Sequence, residues 1–140
     1  MLSQQIRRLM EQDKMVTTTP EATVFEAAQL MRARRIGAVM VVSDEALVGI
    51  FSERDVVFRV VAPGADAHTV RVGDVMTPRP LTVDPERTLG HALVLMHEHG
   101  CRHLPVVEHG RLIGVVAARN AVDPTLEDFV CEQHRRESFR

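Results

Sequence analysis

Apolar positions along the chain recur with two periods, and the switching between them marks out the elements. Leu2, Ile6, Leu9 and Met10 fall at helical spacing with Gln and Arg between them, so residues 1–11 are expected as a short docking helix. Residues 15–18 form a β-prone piece stopped by Pro20. Thr23-Val24-Phe25-Glu26 has the capping-box form that opens a helix. Val24, Ala27, Ala28 and Met31 then share one face, while Arg32, Arg34 and Arg35 occupy the last turn, where cations are favoured; Gly37 is the expected stop. Residues 38–42 read as a buried strand, Ser43-Asp44-Glu45 as a turn, and 47–51 as a second, antiparallel strand. Ser52 opens another helix through Val61, ended by Pro63-Gly64. Residues 62–69 carry Pro, Gly, Asp and His without a period and are the clearest linker. Apolar character resumes at 72–76, and Thr77-Pro78-Arg79-Pro80 breaks it.

From there the pattern repeats. Pro85-Glu86 stands 65 positions after Pro20-Glu21, and the same offset carries Thr23 onto Thr88, Ala27 onto Ala92 and Met31 onto Met96. Without a gap it continues through Val41-Val42 and Val106-Val107, Leu47 and Leu112, Gly49 and Gly114, and Arg54 and Arg119. Turn and core residues matching in kind over that length indicate an internal duplication. Each copy reads strand–helix–strand–strand–helix, with hairpin turns at Asp44-Glu45 and His109-Gly110. One copy is marginal as an independent core, so the pair is the expected folding unit, packed sheet to sheet with a cleft between the copies. The expected organisation is an N-terminal helix at 1–14, a first repeat at 15–62, a linker and lead-in at 63–76, a second repeat at 77–123, and a C-terminal amphipathic helix (125–132) and charged tail within 124–140.

Composition narrows the function classes. A formal net charge of -2 gives no basic excess for nucleic acid or an acidic membrane surface, and the absence of Trp and Tyr argues against a base-stacking platform. Cys101 and Cys131 make neither a disulfide framework nor a CxxC pair, which fits a reducing cytoplasm. No apolar run approaches the roughly 20 residues of a membrane span, and no signal peptide is visible.

The candidate chemistry lies in Gly49-Ile50-Phe51-Ser52-Glu53-Arg54-Asp55 and its counterpart Gly114-Val115-Val116-Ala117-Ala118-Arg119-Asn120. A strand running into a helix start leaves backbone N–H groups and the positive end of the helix dipole, which favour an anion. Ser52 can cap that turn, Arg54 adds a fixed positive charge, and Asp55 offers a carboxylate suited to a ribose diol. His97, His99, Cys101 and His103 lie close in sequence, but two-residue spacing on a helix splits them between faces and no CxxC or HExxH spacing occurs, so no metal site is expected. Cys101 takes the place of Ile36 and reads as a small hydrophobe. With no GxSxG elbow and no Cys–His motif, no catalytic residues and no enzyme activity are expected.

The doubled Gly-apolar-apolar-Ser/Thr-x-x-Asp segment, with Leu104-Pro105-Val106 on the preceding strand of the second copy, resembles the tandem CBS domain, the Bateman module, over about residues 15–123. That resemblance implies an α/β (α+β) fold of two β-α-β-β-α repeats related by a pseudo-two-fold axis. It further implies a regulatory sensor of adenine nucleotides such as AMP, ADP, ATP or NAD, acting as a ligand rather than a catalytic cofactor. A homodimer is implied, together with an unidentified protein partner. By the same resemblance, Asp55 meets the ribose, and Ser52 and Arg54 the phosphate. Thr17, Thr18, Gly37, Ala38, Val39 and Met40 enclose the base in the first copy. In the second, Thr82, Val83, Leu104 and Pro105 line the base and Arg102, His103 and Arg119 surround phosphate. Ala117 and Asn120 depart from the hydroxyl and Asp of the pattern there, and a neutral acceptor is weaker than a charged one. The alternative reading is a structural dimerisation or protein-interaction adaptor with an empty pocket.

Overall fold

The computed structural model describes residues 2–10, 15–121, 133 and 135–137. The helix expected at 125–132 lies outside the described residues.

Two hairpins with matching irregularities carry the duplication into three dimensions. In the first repeat, β1 (Thr17–Thr18) pairs parallel to β2 (Ala38–Ser43), which pairs antiparallel to β3 (Ala46–Ser52). Helix α2 (Val24–Arg34) fills the crossover from β1 to β2. Its capping box forms as the sequence indicates, with Glu26 N–H donating to Thr23 Oγ1 at 3.2 Å and Thr23 N–H to Glu26 Oε2 at 3.4 Å. Asp44 and Glu45 turn the hairpin at φ 51° and 65°, both in the left-handed region that a two-residue turn requires.

β3 runs into a single α-turn, α3 (Glu53–Asp55), which continues as π-helix over Val56–Val61. Sequence reading expects an ordinary helix there. The wider winding is visible in the bonds Ala62 N–H to Val57 O at 2.8 Å and Ala65 N–H to Val60 O at 2.9 Å. The β-branched run Val56-Val57 and Val60-Val61 is poorly suited to tight α turns, where such side chains crowd the preceding turn.

The second repeat has α5 (Leu89–His99), β5 (His103–Glu108) and β6 (Arg111–Ala117), followed by a 3₁₀ turn at Ala118–Ala121. Its register repeats that of the first hairpin pair by pair: Ala38 faces Ser52 as His103 faces Ala117, and Val41 faces Gly49 as Val106 faces Gly114. The bulges fall at equivalent places, Val41/Val42 and Val106/Val107. Its leading strand is reduced to one parallel bridge, Val83 to Val106.

Each repeat is completed by the segment that precedes the other one in sequence. α4 (Val72–Val75) packs on the first repeat, where Val72 N–H donates to Ala22 O at 2.8 Å and Gly73 N–H to Pro20 O at 2.9 Å. β4 (Thr77–Pro78) then pairs with β3, giving the sheet order β1-β2-β3-β4. The N-terminal α1 (Ile6–Leu9), shorter than the helix expected over 1–11, packs on the second repeat: Ile6 N–H donates to Arg87 O at 2.8 Å and Arg7 N–H to Pro85 O at 2.9 Å. Arg7 adds ion pairs to Glu86 and Glu108, and these hydrogen bonds raise its pKa.

Two cores result. The first gathers Val24, Met31, Val39, Val41, Phe51, Val60 and Val72; the second gathers Ile6, Val83, Leu89, Met96, Leu104, Val106 and Val116. Ile6 is fully buried, and full burial of such a side chain stabilises by about 1.5–3 kcal/mol. A third, smaller cluster of Ala38, Met40 and Val115, with Ile50, Leu47 and Leu112 against it, joins the two sheets and fixes the seam between the repeats.

Candidate functional site

The end of β3 aims Ser52 and the turn after it into that seam. Ser52 has extended backbone (φ -113°, ψ 165°), and its side chain closes a capping box: Asp55 N–H donates to Ser52 Oγ at 3.3 Å and Ser52 N–H to Asp55 Oδ2 at 2.9 Å. Ser52 Oγ also lies 3.2 Å from the same carboxylate oxygen. Glu53 N–H donates to Gly37 O at 2.9 Å, which ties the turn to the start of β2. Asp55 is the one buried charged residue among those described, and its other oxygen, Oδ1, lies 3.6 Å from Arg59 Nε. Arg59 in turn donates through Nη1 to Val75 O (3.2 Å) and Met76 O (3.0 Å), clamping the π-helix to the end of α4.

Beside this turn opens a cleft of about 450 Å³, within the range of small-molecule sites. The first repeat contributes Gly37, Ile50, residues 52–55 and Arg59; the segment around β4 contributes Thr77, Arg79, Pro80 and Leu81; the second repeat contributes residues 99–104. Both repeats therefore share one ligand-sized space. Ile50, Pro80 and Leu81 give part of the lining an apolar character, while Arg54, Arg79 and Arg102 are exposed and charged. Four guanidiniums (Arg54, Arg59, Arg79, Arg102) against two carboxylates (Glu53, Asp55) make the lining electropositive, although the chain as a whole is acidic.

Gly37 is placed where a side chain would intrude: a Cβ there would come within 3.1 Å of Glu53 Oε1 and 3.3 Å of His103 Cε1. Cys101 faces the cleft and also packs against the second core, and burial pushes its thiol pKa up. Among the described residues no group of three or more His, Cys, Asp or Glu could hold a metal ion, and no helix is long and apolar enough to cross a membrane.

Of the residues singled out from sequence, Gly37, Ser52, Arg54, Asp55, Arg102, His103 and Leu104 line this cleft. Ala38 and Met40 sit in the apolar seam, Val39 in the first core and Val83 in the second. Thr17 and Thr18 form edge strand β1, Thr82 is exposed beside the Val83 bridge, and Pro105 and Ala117 are buried in the second hairpin. Arg119 borders a separate, more open hollow with Gly37, Glu53, Arg32 and Arg35. Asn120 reproduces half of the first repeat's box, accepting from Ala117 N–H at 2.7 Å, and Ala118 N–H donates to Arg102 O at 2.9 Å as Glu53 does to Gly37.

Sequence reading missed Arg59, Arg79, Pro80, Leu81, His99 and Cys101 as lining residues. Arg59 carried a usable signal, since it stands one turn from Asp55. Arg79 and Pro80 read as a breaker; only the pairing of Thr77–Pro78 with β3 and the bond from Arg79 N–H to Val48 O at 3.1 Å bring them to the cleft.

Comparison with known proteins gives a consistent picture. The family model of the CBS domain matches residues 6–62 and 72–123. The CBS domain-containing protein YhcV of Bacillus subtilis is 36% identical over 104 residues, covering 74% of this chain and 74% of that protein. The mitochondrial CBS domain-containing protein CBSX3 of Arabidopsis thaliana is 33% identical over 127 residues, covering 87% of this chain; the chain spans 59% of that relative's length. Among solved structures, the CBS domain protein PAE2072 from Pyrobaculum aerophilum, complexed with AMP, superposes with a TM-score of 0.79 over 92% of this chain and 99% of that one. At 24% identity that likeness is one of fold.

Proposed function

This chain belongs to the CBS-domain family as a tandem pair, and on that premise we propose that it is a non-catalytic sensor whose inter-repeat cleft binds an adenine nucleotide of the AMP, ADP, ATP or NAD class. The observation that carries this reading is the Ser52–Asp55 box opening on a cleft lined by both repeats. Asp55 Oδ2 is committed to the cap, whereas Oδ1 faces only the 3.6 Å approach of Arg59 and is the oxygen left to accept from a ribose hydroxyl. Arg54, beside it on the same turn, meets the phosphate. The base lies against Ile50 of the first repeat and the 99–103 segment of the second, so a bound ligand couples the two halves. That the Pyrobaculum protein of the same fold was solved with AMP supports the ligand class.

Regulation follows from linkage. A ligand shifts an equilibrium between two packings by no more than its preference for one of them, and a tenfold preference supplies about 1.4 kcal/mol. Isothermal titration of the full chain with AMP, ADP, ATP and NAD tests the reading. Saturable binding of at least one of them is expected; no heat from any at millimolar concentration would overturn it.

An adaptor role has one observation in its favour. Val57, Phe58 and Val61 are 53%, 63% and 64% exposed on one stretch of the π-helix, an apolar surface that a second copy of the chain would cover. A concentration-dependent dimer that Phe58→Glu dissociates, in protein that ignores every nucleotide, would favour the adaptor over the sensor.

A further inference from the structure

Building on the nucleotide reading, we propose that this cleft selects nucleotides carrying two or more phosphates over monophosphates. The argument starts from how the arginines are used. Arg7 is held by Glu86 and Glu108, Arg71 by the carbonyl of Glu21, and Arg59 by Asp55 and two carbonyls of α4 and its end. Arg54, Arg79 and Arg102 differ: none has a carboxylate within salt-bridge distance among the described residues, and all three line the same cleft.

They come from three separate segments. Arg54 is in α3, with its guanidinium 5.2 Å from the Phe58 ring centroid, Arg79 follows β4, and Arg102 precedes β5. Each segment is fixed by backbone bonds, through Glu53 N–H to Gly37 O, Arg79 N–H to Val48 O, and Ala118 N–H to Arg102 O. Like charges converging on one space repel each other, and a polyanion bridging them relieves that repulsion. A single phosphate at the Ser52–Asp55 turn reaches Arg54 and leaves Arg79 and Arg102 on the other walls uncompensated. A second and third phosphate extend toward them.

The other ionisable groups of the cleft do not alter this balance. Asp55 is already engaged by its cap and Arg59, Glu53 lies beside Gly37 and His103, and His99 Nδ1 is 3.0 Å from Leu95 O. Because the three arginines are exposed, the tail they hold is reached by salt, and the selectivity falls as ionic strength rises.

Titration of the full chain with adenosine, AMP, ADP, ATP and inorganic tripolyphosphate, without divalent cations and at constant low ionic strength, tests the proposal. ADP and ATP are expected to bind at least tenfold tighter than AMP, equivalent to about 1.4 kcal/mol. The ATP-to-AMP ratio is expected to collapse toward unity in an Arg79→Ala/Arg102→Ala double variant, whose thermal melt reports that the fold is intact. Equal affinity for AMP and ATP in the native protein overturns the polyphosphate selection while leaving the nucleotide reading standing. A ratio that survives in the double variant also overturns it, because the discrimination then lies elsewhere. Tripolyphosphate binding as tightly as ATP, with adenosine and AMP silent, overturns the nucleotide reading itself.

Discussion

Asp55 meets two demands with one carboxylate: Oδ2 closes the cap on Ser52, and Oδ1, 3.6 Å from Arg59 Nε, is the oxygen the proposed reading assigns to the ribose. The second repeat shows that the first demand needs no charge, since Asn120 Oδ1 accepts from Ala117 N–H at 2.7 Å in the equivalent place. Asp55→Asn is therefore expected to keep the fold and lose ligand affinity. A charge-assisted hydrogen bond is roughly twice as strong as a neutral one, so the loss is about fivefold to tenfold. Calorimetry beside a thermal melt separates the two effects; unchanged affinity would remove Asp55 from the ribose. Cys101 gives an independent reporter of the same space. Burial raises its thiol pKa, so at pH 8 less of it is thiolate than of a free thiol, and it should alkylate more slowly in a Cys131→Ser background. Saturating nucleotide should slow it further, and a rate indifferent to nucleotide would contradict the placement of the ligand against residues 99–104.

At the scale of elements, the two helices α2 and α5 end in the same left-handed conformation with different residues. Gly100 adopts φ 66° without cost, whereas Arg35 adopts φ 54° in the corresponding position, two residues before the glycine the sequence offers as a stop. A left-handed non-glycine residue costs about 1–2 kcal/mol, and glycine returns part of that gain as unfolded-chain entropy. Arg35→Gly is thus expected to stabilise the protein by about 1 kcal/mol in urea unfolding; destabilisation would contradict the strain. The hairpins, caps and duplicated cores were legible because each rests on local chemistry: Asp44-Glu45 and His109-Gly110 at the turns, Thr23 and Thr88 at the helix starts. The exchange of lead-in segments was not. Ile6 corresponds to Val72 and Arg7 to Gly73 at an offset of 66 rather than 65, and only long-range backbone bonds reveal the equivalence. The π winding of Val56–Val61 was hidden for a different reason, since over six residues the apolar spacing of Val-Val-Phe-Arg-Val-Val does not separate an α from a π period, and β-branching only lowers the α preference.

For the whole molecule, the seam between the repeats is the element on which function depends. Ala38, Met40 and Val115 hold the sheets together at its base, and the space beside them is walled by both halves. Seven of the residues picked from sequence reach that space: Ser52, Arg54 and Asp55 because the strand-to-helix turn carries its own signature, and Gly37, Arg102, His103 and Leu104 through the family resemblance. Arg79, which read as part of a breaker, reaches it only through the docking of β4. Amide chemical-shift mapping of the labelled full chain during addition of ATP tests the central claim most directly. Saturable shifts at Gly37, residues 52–55, Arg79 and residues 100–104 are predicted. Shifts confined to the exposed face at Val57, Phe58 and Val61, or none at millimolar ATP, would contradict a ligand in the seam.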